Sequence, residues 1–170
     1  MAVPRFAEFT RPLLDVVSDG KEYRLADCYE PLATQLELSD DDRKEMLPSG
    51  TKTRFQDRAQ WAVTYLRKAR CLRSTRRGHF TITERGQEAL RSAARIDIDY
   101  LSQFPEIVEF ISSKGKKDSH TGGSNRESVA DVTPEEQLEQ ISEDLADTLA
   151  SDLLDAMREC SPHFFEQLLF

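Results

Sequence analysis

Cysteine is scarce. Cys28, Cys71 and Cys160 stand far apart, form no CxxC pair and set up no disulfide framework. A reducing cytoplasm is the compartment this usage implies. Histidine is equally scarce: His79, His120 and His163 are too scattered for a histidine-based zinc cluster at any familiar spacing. No apolar run approaches the roughly 18 residues that a membrane span requires. The opening stretch, MAVPRFAEFTRPLL, lacks the basic lead and apolar core of a secretory signal. Disulfide scaffolds, zinc modules and membrane proteins are thereby set aside. What remains is a rather polar chain of 170 residues, 38% hydrophobic and 32% charged, in which a linker or a solvated helix is expected.

The net charge of −8 argues weakly against a nucleic-acid partner, but its distribution argues the other way. Residues 1–50 carry 6 basic and 11 acidic side chains, and residues 86–170 carry 7 basic and 18 acidic. Residues 51–85 between them carry 10 basic and 2 acidic. Screening limits the reach of each charge to about 8–10 Å at cellular salt, so phosphate binding follows the local patch and not the isoelectric point. The competing reading of this window is a basic face that is merely solvated.

Periodicity places the elements. Phe6, Phe9, Leu13, Val16 and Val17 recur at helical spacing over 5–18, with Pro12 inside. A short extended piece at 22–25 precedes a helix over 26–37, where Cys28 reads as a small buried apolar residue. Ser39 caps a short acidic helix over 40–46, and Leu47-Pro48-Ser49-Gly50 breaks it. The strongest helix spans 53–69, with Phe55, Ala59, Ala62, Val63, Leu66 and Ala69 on one face. Strands at 72–74 and 79–83 flank the turn Thr75-Arg76-Arg77-Gly78, with Phe80 and Ile82 inward and His79, Thr81 and Thr83 outward. A helix over 84–92 and one or two short helices over 99–112 follow. This order of helices, basic helix and basic-tipped hairpin is that of a winged helix, a mostly α fold with a small β-hairpin. Residues 1–95 are expected to form that domain and 96–113 a helical extension. Residues 114–132, polar and without an aromatic, are expected to be a flexible linker. In 133–170, Thr133-Pro134-Glu135-Glu136 is a capping box with proline at the first helical position. It opens a long acidic helix to about 159, with Leu138, Ile141, Leu145, Leu149, Leu153 and Met157 in one stripe. A last helix is expected over 163–170.

In a helix-turn-helix the second helix enters the major groove and its first residues reach base edges. The candidates for that role are Thr53, Arg54, Gln56, Asp57 and Gln60. Arginine can make two hydrogen bonds to guanine and glutamine two to adenine. Lys52 and Arg58 are candidates for phosphates. Arg76, Arg77 and His79, at or near the wing tip, suit a phosphate track or the minor groove. Trp61, at the margin of the apolar stripe, suits half-buried packing, with stacking on a base as the alternative. No catalytic residue and no metal ligand is assigned. The competing use of such a fold is dimerisation. The pair Arg76-Arg77 speaks for nucleic acid, because interface cores are depleted in charge.

Three segments carry a resemblance: MAVPRFAEFTRPLLDVVSDGKEYRL, then LSDDDRKEMLPSG, then RFQDRAQWAVTYLRKARCLRSTRRGHFTITERG. Over about residues 3–95 the chain resembles the N-terminal domain of Mrr-type restriction proteins, the modification-dependent (type IV) endonucleases. The LPSG turn, the RFxxRxxWAxTYLxKA helix and the RRGxFxITxRG wing carry it in order. The resemblance implies a DNA-binding winged helix, with double-stranded DNA, methylated DNA included, as partner. It also implies a cytoplasmic, nucleoid-associated protein. In such proteins a linker and a Mg²⁺-dependent PD-(D/E)xK nuclease domain follow. The acidic helix and SPHFFEQLLF are similar to the lead-in of that domain, and Glu166 falls where its first helix carries a Glu. The catalytic carboxylates and lysine would lie beyond Phe170, so the chain as given is expected not to cut DNA and to need no cofactor. It would be a shortened form of, or half of, a longer protein. The alternative is a stand-alone winged-helix transcription regulator that dimerises through 133–170. In either case the apolar residues of 161–170 are expected to drive self-association. One position departs from the family: Arg70 stands where Gly usually follows the KA that ends the recognition helix.

Overall fold

A computed structural model describes residues 3–93, 95–115 and 133–159. The chain divides into two compact units, Met1–Thr133 and Pro134–Phe170. In the first, helix α1 (Ala7–Val16) leads to strand β1 (Tyr23–Arg24) and helices α2 (Leu25–Gln35), α3 (Asp40–Lys44) and α4 (Arg54–Lys68). Strands β2 (Leu72–Ser74) and β3 (His79–Ile82) follow, then α5 (Glu84–Ser92), α6 (Ile98–Leu101) and α7 (Pro105–Gly115). The second unit contains α8 (Pro134–Glu159). The fold is a winged helix, mostly α with a small antiparallel sheet. Residues 116–132 of the expected linker and the expected helix at 163–170 lie outside the described residues. α7 runs to Gly115, so its end overlaps the start of the segment read as linker.

The core lies between α1, α2, α4 and the sheet. Phe6, Phe9, Leu13, Leu32 and Leu66 are at most 1% exposed, and each such side chain stabilises the fold by about 1.5–3 kcal/mol relative to exposure. Phe9 of α1 meets Phe55 of α4 at 5.7 Å, and Phe6 meets Tyr65 at 5.2 Å, both tilted. Ile96, Leu101 and Ile107 extend this core beneath the segment expected as an extension.

The sheet has three strands in the order β1-β3-β2, where the sequence pattern indicated a two-stranded hairpin. Tyr23 pairs with Phe80, and Leu72 with Ile82. β3 is therefore central, which corrects one expectation: Thr81 does not face solvent. It is 5% exposed, and its hydroxyl donates to the Gly20 carbonyl at 2.9 Å, because the turn before β1 lies over it.

Candidate nucleic-acid interface

α4 starts where Thr53 leaves helical geometry. Its hydroxyl accepts from the Gln56 N–H at 3.2 Å, and the Gln56 carboxamide oxygen receives the Thr53 N–H at 3.5 Å. This capping box satisfies two donors of the first turn. α4 ends in a Schellman motif: the Cys71 N–H bonds the Leu66 carbonyl, and the Arg70 N–H bonds that of Arg67. Arg70 holds the left-handed conformation at φ 58°, the geometry in which glycine is at ease. Its guanidinium reaches Glu106 at 3.1 Å.

Phe55, Ala59, Ala62 and Leu66 bury one face of α4. The opposite side presents Thr53, Gln56, Gln60, Thr64 and Arg67, at the three- and four-residue spacings that share a helix face. Gln60 and Arg67 are exposed. The Arg67 guanidinium donates to the Ser74 hydroxyl and so ties the far end of this face to the wing. There Arg73, exposed on edge strand β2, adds a cation. Together Thr64, Arg67, Lys68, Arg70, Arg73 and Ser74 line an open groove of about 640 Å³. At the tip, Arg77 is exposed and Gly78 takes the turn at φ 77°. Arg76 is 65% exposed and stands 2.9 Å from Glu22. His79 Nδ1 lies 3.0 Å from the Arg77 carbonyl.

The structure rearranges the expected site residues. Asp57 was expected to read base edges but is wholly buried, with Lys52 Nζ 2.5 Å from Oδ1 and the Thr133 hydroxyl donating to Oδ2 at 2.5 Å. A carboxylate so enclosed offers no acceptor to a base. Lys52, expected on phosphate, is committed to that carboxylate. Arg58 also turns inward: it donates to the carbonyls of Val3 and Pro4 at 2.5 and 2.6 Å and anchors the N-terminal segment. Arg54 pairs with Glu45 at 2.7 Å. Thr53 and Gln56 serve the cap, which leaves Gln60 as the exposed glutamine of the face. Trp61 packs edge-on against Tyr65 at 6.2 Å. Thr64, Arg67, Arg73 and Ser74 were not among the expected site residues. The signal for Thr64 and Arg67 was present, four and seven residues after Gln60. That for Arg73 was the alternation of β2, with Leu72 inward.

Cys28 and Cys71 are buried and favour the thiol over the thiolate at neutral pH. Burial pushes the thiols of Cys28 and Cys71 from 9.0 up to about 11. Among the described residues no three His, Cys, Asp or Glu side chains converge as metal ligands would. Among them, too, no helix is long and apolar enough to cross a membrane.

Comparison with known proteins sets this geometry in a family. The Mrr N-terminal domain matches residues 6–92, about half of the chain and all of the helix–wing framework. The chain belongs to the Mrr N-terminal domain family. It is also 26% identical over 177 aligned positions to the type IV methyl-directed restriction enzyme EcoKMrr of Escherichia coli (strain K12). That alignment takes in 99% of this chain and 58% of the relative, so the chain spans little more than half the relative's length. No solved structure matches.

Proposed function

We propose that this Mrr-type chain binds double-stranded DNA as the recognition module of a restriction system, and that the chain alone does not cleave. The supporting observation is the polar and cationic face of α4 from Gln60 through Thr64 to Arg67, tied at Ser74 to a wing that carries Arg73, Arg76 and Arg77. On this reading Gln60 would meet a base edge in the major groove and the arginines phosphates. Methylated duplex is the favoured target, by analogy with the methyl-directed relative. DNA binding requires no cofactor, and Mg²⁺ would belong to a complete nuclease. A cytoplasmic, nucleoid-associated location accords with such a partner.

The test is fluorescence anisotropy with methylated and unmethylated duplexes over a salt series. Arg67→Ala with Arg76→Ala and Arg77→Ala is expected to weaken binding to every sequence. It should also flatten the salt dependence by about one unit of slope per lost phosphate contact. Unchanged affinity in that variant would overturn the reading. Incubation of plasmid DNA with Mg²⁺ is expected to leave it intact.

One observation favours the regulator reading. Leu138, Ile141, Leu145 and Leu149 of α8 are each at least 63% exposed, a stripe suited to pairing two copies. Its flanks weigh against a close pair of like helices, since α8 carries nine carboxylates and Arg158 alone as a cation. Sedimentation of a Leu145→Glu, Leu149→Glu variant decides: a dimer that becomes monomeric supports the pairing.

A further inference from the structure

The position of Asp57 on α4 is at odds with its burial. At 3.6 residues per turn it lies about 160° round the axis from the middle of the apolar face. Thr64, two turns on, shares its line along the helix and is part of the surface described above. A carboxylate in that position belongs in water, yet Asp57 is 0% exposed. Against it stand the Lys52 ammonium and, from 76 residues further along the chain, the Thr133 hydroxyl. Thr133 is itself 0% exposed. Further along the same flank, Phe110 of α7 lies under Lys68 at 4.9 Å and against Tyr65 at 5.8 Å.

This flank matters because a helix about 10–12 Å across fills a major groove about 12 Å wide. Full insertion leaves room for the helix's own side chains and little else. Thr133, seated on Asp57, stands where a groove wall would come. It also helps to hold Lys52 on a carboxylate, away from phosphate.

We propose that the Asp57–Thr133 contact is an autoinhibitory latch: closed, it narrows the reading face of α4, and a DNA duplex opens it. The inference rests on the DNA-binding reading above. Linkage makes the effect reciprocal, so weakening the latch tightens duplex binding by the factor with which duplex binding opens the latch. Thr133→Val removes the hydroxyl and changes no charge, so a gain in affinity could not come from altered electrostatics.

The experiment measures anisotropy of a fluorescein-labelled duplex with the full chain. Thr133→Val is expected to bind about tenfold more tightly than the wild type. Thr133→Ser, which keeps the hydroxyl, should match the wild type. Hydrogen exchange on the wild type supplies a second readout that needs no variant: adding duplex should speed exchange of the Thr133 amide. If Thr133→Val melts early and is unusable, this second readout decides. Equal or weaker binding by a folded Thr133→Val, or a Thr133 amide unchanged or slowed by duplex, overturns the latch. Should the arginine variants still lose affinity in that case, the DNA-binding reading stands without it. If neither the wild type nor Thr133→Val binds duplex, both fall.

Discussion

Arg76 and Arg77 are neighbours with different surroundings. The Glu22 carboxylate stands against Arg76 and accepts from the Thr75 hydroxyl. That hydroxyl, first, and the Arg76 charge hold Glu22 below the usual glutamate range. Glu22 therefore stays ionised to lower pH than an ordinary glutamate. Glu22→Gln is expected to free Arg76 and tighten duplex binding several-fold, with the gain fading at high salt because the pair is exposed. Arg67→Ala alone should reduce the salt slope by about one unit. A second expectation concerns the thiols. Cys28 and Cys71 titrate near 11 in the folded chain and about 9 when exposed, so the unfolded chain loses these protons first. Stability is unaffected by them below pH 9 and falls as pH rises from 9 towards 11. Urea midpoints across that range, compared with those of Cys28→Ala and Cys71→Ala, check the sign. A wild type no more alkali-sensitive than the variants would refute it.

At the level of the elements, α5 packs against the sheet with no room at Gly86. A Cβ on Gly86 would stand 2.4 Å from the Cys71 carbonyl oxygen and 2.7 Å from Ile82 Cγ1. Backbone cannot yield to a methyl there. Gly86→Ala is expected to cost about 1–3 kcal/mol, seen as a lower melting temperature with an unchanged wing surface. Arg70→Gly should go the other way, by on the order of 1 kcal/mol, since it relieves a left-handed residue at the α4 terminus. It would lose the contact to Glu106, and a less stable variant would show that contact to outweigh the strain. The helices, the wing and the buried face of α4 were legible in the sequence, because period and caps are local. β1 was legible as a short extended piece at 22–25 but not as a strand of the sheet, because two residues have no period and the pairing of Tyr23 with Phe80 is long-range. Nor was the burial of Asp57. An acid in the first turns of a basic helix reads as exposed until a hydroxyl 76 residues away is placed on it. Arg58 misled for a similar reason, its carbonyl partners lying more than fifty residues earlier.

For the molecule as a whole, charge is segregated along the chain. Residues 134–170 hold ten carboxylates with Arg158 as their one lysine or arginine. This anionic segment is covalently tied to the surface proposed to meet phosphates, and on that reading it raises the energy of bringing DNA near. Residues 1–133, which retain Thr133, are expected to bind duplex several-fold more tightly than the full chain at low salt. The gap should close as salt shortens the screening length. A gap that persists at high salt would point to something other than charge.

The sheet's outer strands bear on how copies of the chain meet when crowded. β1 and β2, two and three residues long, flank β3 on either side. Such stubs expose too few free amides and carbonyls to template a further strand. If copies crowd along a duplex as the proposed function implies, their wings can therefore jostle without zipping into a ribbon.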